Sequence, residues 1–187
     1  MSATNRGTER KQYDFYATPI NVVENLLNNI DLSQYGTKVL EPSAGNGNVC
    51  SILKERYPDK DITALEIREE EFGNLIMCSD EVVIGDFLER EEDSKYDIII
   101  GNPPYSKAME FVNKSLELLK EDGVLIFLLR TAFLESKSRY EFWQKNKLSG
   151  LYTLSKRPSF TGKGTDATSY SWFIWDKSTD KQTIKVI

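Results

Sequence analysis

Hydrophobic residues in this chain fall into short continuous runs separated by segments of helical periodicity. The continuous runs predict strands at 38–41, 62–66, 82–87, 96–101, 124–129, 151–155 and 171–175, with 183–187 as a candidate addition. The periodic segments predict helices at 19–30, 48–57, 68–77, 106–121 and 135–147. Apolar strands that alternate with helices indicate an α/β fold with a mostly parallel sheet and helices on both faces. The closely spaced late strands indicate an antiparallel edge.

Local signals predict where the first helix starts and how the chain divides. Thr18 before Pro19 is typical of an N-cap followed by the first helical residue. Residues 1–12 are polar and charged, without the apolar core of a signal peptide, so we expect a flexible arm there. We expect residues 13–187 to form a single domain.

The amino-acid composition excludes several kinds of catalytic and metal site. The chain has no histidine, which excludes His-based triads, His metal sites and imidazole acid–base catalysis. Its two cysteines, Cys50 and Cys78, lie in helix-like segments, and we interpret them as reduced, partly buried thiols. No apolar run approaches ~20 residues, so we expect no membrane helix and a cytoplasmic protein.

Charge is unevenly placed along the chain. The formal net charge is −5, and residues 66–97 hold twelve acids and three bases. Residues 135–165 hold seven bases and two acids. A bipolar domain can present a basic face to phosphates, although solvated surface charge explains the same pattern.

Polar residues at the ends of successive predicted strands indicate a ligand site. Gly45 and Gly47 follow the first strand, Glu66 ends the second, and Asp86 with Phe87 ends the third. An acid at the position of Glu66 commonly holds ribose hydroxyls. Acids at these strand ends, with no phosphate-binding lysine among them, favour a nucleoside ligand that has no phosphate groups. S-adenosylmethionine is such a ligand.

The fourth predicted strand runs into Asn102-Pro103-Pro104-Tyr105. The Asn102 amide oxygen and the Pro103 carbonyl can both accept hydrogen bonds from a planar NH₂ group. The prolines have no N–H and a fixed φ, so the turn is stiff and offers no competing donor. Tyr105 presents a face for stacking on a flat base or amide. The tetrapeptide therefore indicates methyl transfer to a poorly nucleophilic NH₂.

These motifs resemble the N6-adenine DNA methyltransferase family over most of the chain. Tyr16-Ala17-Thr18-Pro19 resembles its motif for the amino-acid end of S-adenosylmethionine, and 41–47 its glycine-rich motif. Asn102-Pro103-Pro104-Tyr105 is similar to its catalytic (D/N/S)PP(Y/F) motif, and 157–160 to the late motif that helps hold a flipped base. The resemblance implies these cofactor-binding residues: Tyr16, Ala17, Thr18, Glu41, Pro42, Ser43, Ala44, Gly45, Gly47, Glu66, Ile67, Asp86, Phe87 and Asn102.

The resemblance also implies a Rossmann-like methyltransferase fold with a seven-stranded sheet, and methyl transfer to the N6 amine of a flipped adenine in DNA. Substrate-binding candidates are Tyr105, Arg130, Lys156, Arg157, Phe160 and Lys163. Arg130 alternatively pairs with Glu135, and no role is assigned to Asp166 or Tyr170. RNA adenine and protein glutamine are alternative substrates, and a cofactor-binding subunit without activity is a further alternative.

Sequence-specific members of that family carry a target-recognition domain for which the predicted elements leave no room. The chain therefore resembles small stand-alone members of restriction-modification systems or phage-like elements. We expect recognition to come from loops 131–150 and 156–170, from a second subunit or from self-association.

Overall fold

The computed structural model describes residues 17–160 and 167–187. In chain order, its strands and α-helices are α1 (Ile20–Leu27), β1 (Lys38–Glu41), α2 (Asn48–Arg56), β2 (Asp61–Glu66), α3 (Phe72–Leu75), β3 (Glu81–Ile84), β4 (Tyr96–Gly101), α4 (Ala108–Leu118), β5 (Leu119–Arg130), α5 (Tyr140–Lys145), β6 (Gly150–Thr153), β7 (Tyr170–Asp176) and β8 (Thr183–Val186). Short 3₁₀ turns precede α3, α4 and α5.

All the described strands belong to one sheet with the order β3-β2-β1-β4-β5-β7-β6-β8. The pairs from β3 to β5 are parallel, β7 is antiparallel to both β5 and β6, and β8 is parallel to β6. The carboxyl ends of β1, β2, β3 and β4 therefore meet at one edge, where open α/β sheets bind their ligands.

The α/β class and the Rossmann-like architecture are confirmed, with two corrections. The sheet has eight strands where seven were predicted, because 183–186 pairs with β6. The antiparallel strand is not at the edge: β7 lies between β5 and β6. Its residues 170–175 are all buried, which an interior strand covered on both faces requires.

Two apolar layers enclose the sheet. One contains Val23 and Leu26 of α1 with Leu53 of α2, and the other contains Phe111 and Val112 of α4. Alternate strand residues face opposite layers, so Ile98 belongs to the first and Ile99 to the second. This double covering explains the continuous apolar runs.

Several predicted helix boundaries are wrong. Pro19, not Thr18, is the N-cap of α1, and no side chain caps that end. The Thr18 carbonyl instead accepts a hydrogen bond from Asn48 Nδ2 at 2.8 Å, which ties the entering chain to α2. The predicted helix at 106–121 ends at Leu118, and β5 begins directly afterwards. The predicted helices at 68–77 and 135–147 are shorter and begin as 3₁₀ turns.

The expected N-terminal arm, 1–12, lies outside the described residues, so its flexibility stays a prediction. Across 17–160 and 167–187, no helix combines the length and the apolar character that a membrane crossing needs.

Candidate active site

A cavity of about 470 Å³ opens at the carboxyl edge of β1, β2, β3 and β4. Its walls include most of the predicted cofactor-binding residues: Ala17, Thr18, Glu41, Pro42, Ser43, Ala44, Gly45, Glu66, Ile67, Asp86, Phe87 and Asn102. Tyr16 lies outside the described residues. Gly47 does not line the cavity but supports the turn that does. The volume is within the range of small-molecule sites, ~300–1,000 Å³.

The turn after β1 brings backbone close to this cavity. Gly45 and Gly47 have φ of +58° and +82°, which side-chain-bearing residues rarely adopt. A Cβ on Gly47 would lie 2.7 Å from Cys78 Sγ, so the turn is packed tightly against the Cys78 side chain. Gly47 thus needs glycine both for its backbone conformation and for close packing.

Glu66 anchors the same turn from the end of β2. One carboxylate oxygen accepts from the Gly45 N–H at 2.7 Å, and the other accepts from Arg68 Nε at 2.9 Å and from the Arg68 backbone N–H at 3.0 Å. Arg68 also pairs with Glu71 at 2.9 Å. The oxygen bonded to Arg68 already accepts two hydrogen bonds, whereas the oxygen bonded to Gly45 has one lone pair left and can still accept from a ribose hydroxyl. Arg68 also lines the cavity but was not among the predicted site residues, although it follows Glu66 by only two positions.

The loop after β3 forms an apolar wall. Phe87 is buried and lies 5.0 Å from the Phe111 ring, and Leu88 completes this part of the lining. Lys114 Nζ lies 5.0 Å from the centre of the Phe87 ring and donates to the Leu88 carbonyl at 3.3 Å. Asp86 accepts from the Leu88 N–H at 2.8 Å. A purine ring fits such a wall, with the remaining acceptor capacity of Asp86 beside it.

Glu41 contributes a buried carboxyl group. It ends β1, is 2% exposed and lines the cavity. Burial raises its pKa well above the usual value. The Ser43 hydroxyl in the next turn is also buried and has no hydrogen-bond partner among the described residues. S-adenosylmethionine fits this lining. Glu41 and Ser43 suit its amino-acid end, the apolar wall suits its adenine, and Glu66 suits its ribose.

The Asn102–Tyr105 tetrapeptide lies where β4 reaches this edge. Asn102 and Pro104 line the cavity, while Pro103 is buried beside it. The Tyr105 ring lies 5.4 Å from that of Tyr170, and the Arg130 guanidinium lies 5.1 Å from the Tyr105 ring centre. Burial raises the pKa of Tyr105 well above its usual value, so its hydroxyl stays protonated.

Tyr170 connects two of the substrate-binding candidates. Its ring lies 5.1 Å from Phe160 as well as 5.4 Å from Tyr105, and Arg130 is its register partner on β5. It is 1% exposed. Tyr170 had no predicted role, because its contact with Tyr105 depends on the interior position of β7.

The remaining substrate-binding candidates lie on the surface or outside the described residues. Lys156 and Arg157 are exposed on the chain that leaves β6. Lys163 and Asp166 lie outside the described residues. Arg139, one of the bases in the basic segment, is used internally: its guanidinium donates to the Phe133 carbonyl at 2.9 Å and lies over the Phe133 ring.

Sequence comparison identifies a family. Residues 21–160 match the model of the methyltransferase small domain. Modification methylase CviBIII of Paramecium bursaria Chlorella virus NC1A is 29% identical over 161 residues, which cover 71% of this chain and 41% of that protein. The tRNA1(Val) (adenine(37)-N6)-methyltransferase of Bacteroides thetaiotaomicron is 31% identical over 123 residues, 50% of this chain and 52% of that protein.

Among solved structures, the M protein of the type I restriction enzyme EcoKI superposes with a TM-score of 0.69 at 16% identity. The match covers 91% of this chain and 48% of that one, and at this identity it shows the shared fold alone. The chain spans between about a fifth and about half of the length of the curated relatives that it matches.

Proposed function

Because this chain belongs to the methyltransferase small domain family, with S-adenosylmethionine as its methyl donor, we propose that it methylates the N6 amine of adenine in DNA. The observation that carries this proposal is the position of Asn102, which lines the same cavity as Glu66 and Asp86. An acceptor for an NH₂ group therefore lies beside the residues that fit the donor. The similarity to a modification methylase supports DNA as the substrate.

S-adenosylmethionine supplies an electrophilic methyl group on a positively charged sulfur. The contribution of the protein is to hold the adenine NH₂ so that its nitrogen lone pair faces that methyl group. The Asn102 amide oxygen and the Pro103 carbonyl would accept hydrogen bonds from the two N–H groups. These bonds would favour a tetrahedral nitrogen, whose lone pair is no longer delocalised into the adenine ring. Such fixed dipoles stabilise the transition state by about 10²–10³ in rate per group. No strong base is needed, since the methylated amine loses its proton readily.

The adenine must leave the duplex stack before its N6 can reach this cavity. Tyr105 of the Asn102 turn and Phe160 both contact the Tyr170 ring, and together they could receive the base. Arg130, over the Tyr105 ring, adds a positive charge at the same place. We propose that this aromatic group holds the base, with Lys156 and Arg157 on the phosphates.

RNA is the second candidate substrate. The similarity to a tRNA adenine-N6 methyltransferase favours it, since the acceptors for an adenine NH₂ would be the same. A second subunit or self-association is part of the proposal as the source of sequence recognition.

Transfer of a labelled methyl group from S-adenosylmethionine to unmethylated duplex DNA tests the proposed function. After digestion to nucleosides, we expect the label in N6-methyldeoxyadenosine. In parallel, unmodified tRNA should remain unlabelled. If only the RNA were labelled, the substrate would be RNA adenine instead of DNA adenine. If neither nucleic acid were labelled, the result would contradict a nucleic-acid methyltransferase that acts without a partner.

Replacing Lys156 and Arg157 together with glutamine should raise the apparent KM for DNA and leave the affinity for S-adenosylhomocysteine unchanged. Each lost phosphate contact removes about one unit from the slope of log affinity against log salt, so the slope should fall by about two units. Titration of labelled duplex at several salt concentrations measures this. Lys181→Gln, exposed in the loop after β7 at the opposite edge, is the control and should change neither quantity.

A further inference from the structure

A thiol lies against the carboxyl group of Glu41 beneath the cavity. Cys50, the third residue of α2, is fully buried, and its Sγ donates to Glu41 Oε2 at 2.8 Å. The Glu41 side chain also lies against the end of β4, where a Cβ on Gly101 would be 3.5 Å from Glu41 Cγ. The thiol and this packing together restrict the orientation of the carboxyl group.

The thiol keeps its proton and so remains a donor. The neighbouring Cys78 thiol, burial and Glu41 all raise the pKa of Cys50 well above its usual value. The Cys78 Sγ lies instead against the backbone carbonyls of Gly47 and Asn74, at 3.6 and 3.5 Å. The two cysteines are therefore not equivalent, and among the described contacts Cys50 is the thiol that donates to Glu41.

We propose that Cys50 is a positioning residue, which aims the carboxylate of Glu41 at the ammonium group of S-adenosylmethionine. This inference rests on the proposed function, and it takes Glu41, the buried acid in the cavity lining, as the group that receives the ammonium of the methyl donor. Glu41 lines the cavity as an acid, and a buried carboxylate is stabilised by a cation brought against it. The thiol fixes one carboxylate oxygen and leaves the other for the ligand.

The same arrangement makes ligand binding depend on pH. The titratable groups facing Glu41 are Cys50 from α2, Cys78 after α3 and Glu66 from β2. Burial, Cys78 and Glu66 raise the pKa of Glu41, whereas the Cys50 hydrogen bond lowers it. Glu41 must lose its proton to receive an ammonium group, so affinity rises with pH through that pKa. Removing the thiol shifts this rise to higher pH.

Calorimetric titration with two ligands separates positioning from general packing. S-adenosylhomocysteine carries the ammonium group, whereas 5′-methylthioadenosine has the same nucleoside without the amino-acid end. In Cys50→Ala we expect about 10-fold weaker binding of S-adenosylhomocysteine, the effect of one hydrogen bond to a charged group. Binding of 5′-methylthioadenosine should not change. Cys50→Ser, which keeps a donor, should restore most of the affinity.

Cys78→Ser is the comparison variant, since it leaves the Cys50–Glu41 contact in place. Because Cys78 raises the pKa of Glu41, this variant should shift the rise in affinity to lower pH, opposite to Cys50→Ala. Cys50→Val, which keeps the buried volume but has no donor, replaces Cys50→Ala if that variant does not fold. An equal loss for both ligands, or no loss for either, would overturn the proposal. Neither measurement contains nucleic acid, so a failure of the proposed DNA methylation would leave this result unaffected.

Discussion

Asn102→Ala is expected to lower the rate of methyl transfer about 10²–10³-fold, the usual effect of removing one transition-state acceptor. The affinity for S-adenosylhomocysteine should fall only slightly, because the other proposed cofactor contacts come from residues at the carboxyl ends of β1, β2 and β3. Single-turnover transfer to DNA measures the first quantity, and calorimetric titration measures the second. The loss should appear in kcat, because the amide is needed when the nitrogen becomes tetrahedral.

Asn113→Ala provides a matched control for this experiment, because Asn113 is exposed on α4, outside the cavity lining. It should leave both the rate and the affinity unchanged. Turnover by Asn102→Ala at the rate of the unchanged protein would contradict the assigned role of the tetrapeptide. A large loss of cofactor affinity would assign Asn102 to the methyl donor instead of to the adenine.

Glu66→Ala is expected to weaken S-adenosylhomocysteine binding by about 10- to 100-fold, since a hydrogen bond to a charged acceptor contributes about 1.5–3 kcal/mol. The substitution removes the proposed ribose acceptor and also the carboxylate that holds the Gly45 N–H at 2.7 Å. Stability should fall by about 1–3 kcal/mol, because that N–H loses its buried partner. Calorimetric titration and urea denaturation measure the two effects.

The control for Glu66→Ala is Glu71→Ala. Glu71 shares Arg68 with Glu66 through a 2.9 Å ion pair but is not among the residues that line the cavity. Its loss should change stability modestly and leave cofactor affinity intact. If both variants weakened binding equally, the effect would come from the Arg68 position and not from a contact between Glu66 and the ribose.

The convergence of the site could be predicted because it depends on strand ends. Glu41, Glu66, Asp86 and Asn102 end or follow β1, β2, β3 and β4, and parallel strands bring their carboxyl ends to one edge. Hydrophobic periodicity and turn residues were sufficient to predict where these strands end. In the structure, all four residues line one cavity.

Contacts between distant segments could not be predicted in the same way. Tyr170 reaches Tyr105 because β7 inserts between β5 and β6, a pairing on which local sequence has no direct influence. A signal was nevertheless present in the sequence: the continuous apolar run 172–175 is typical of an interior strand covered on both faces, not of an edge strand. Arg68 and the Cys50–Glu41 contact depend on side-chain geometry, for which residue spacing is insufficient.

The strand order also determines when each half of the sheet can form as the ribosome delivers the chain. β1, β2, β3 and β4 pair among themselves, so the part of the cavity lined by Glu41, Glu66 and Asp86 needs only residues that emerge early. In the described part of the chain, the partners of β6 are β7 and β8, both of which are synthesised after it. Gly150–Thr153 must therefore wait without a partner strand until at least Tyr170–Asp176 has left the exit tunnel.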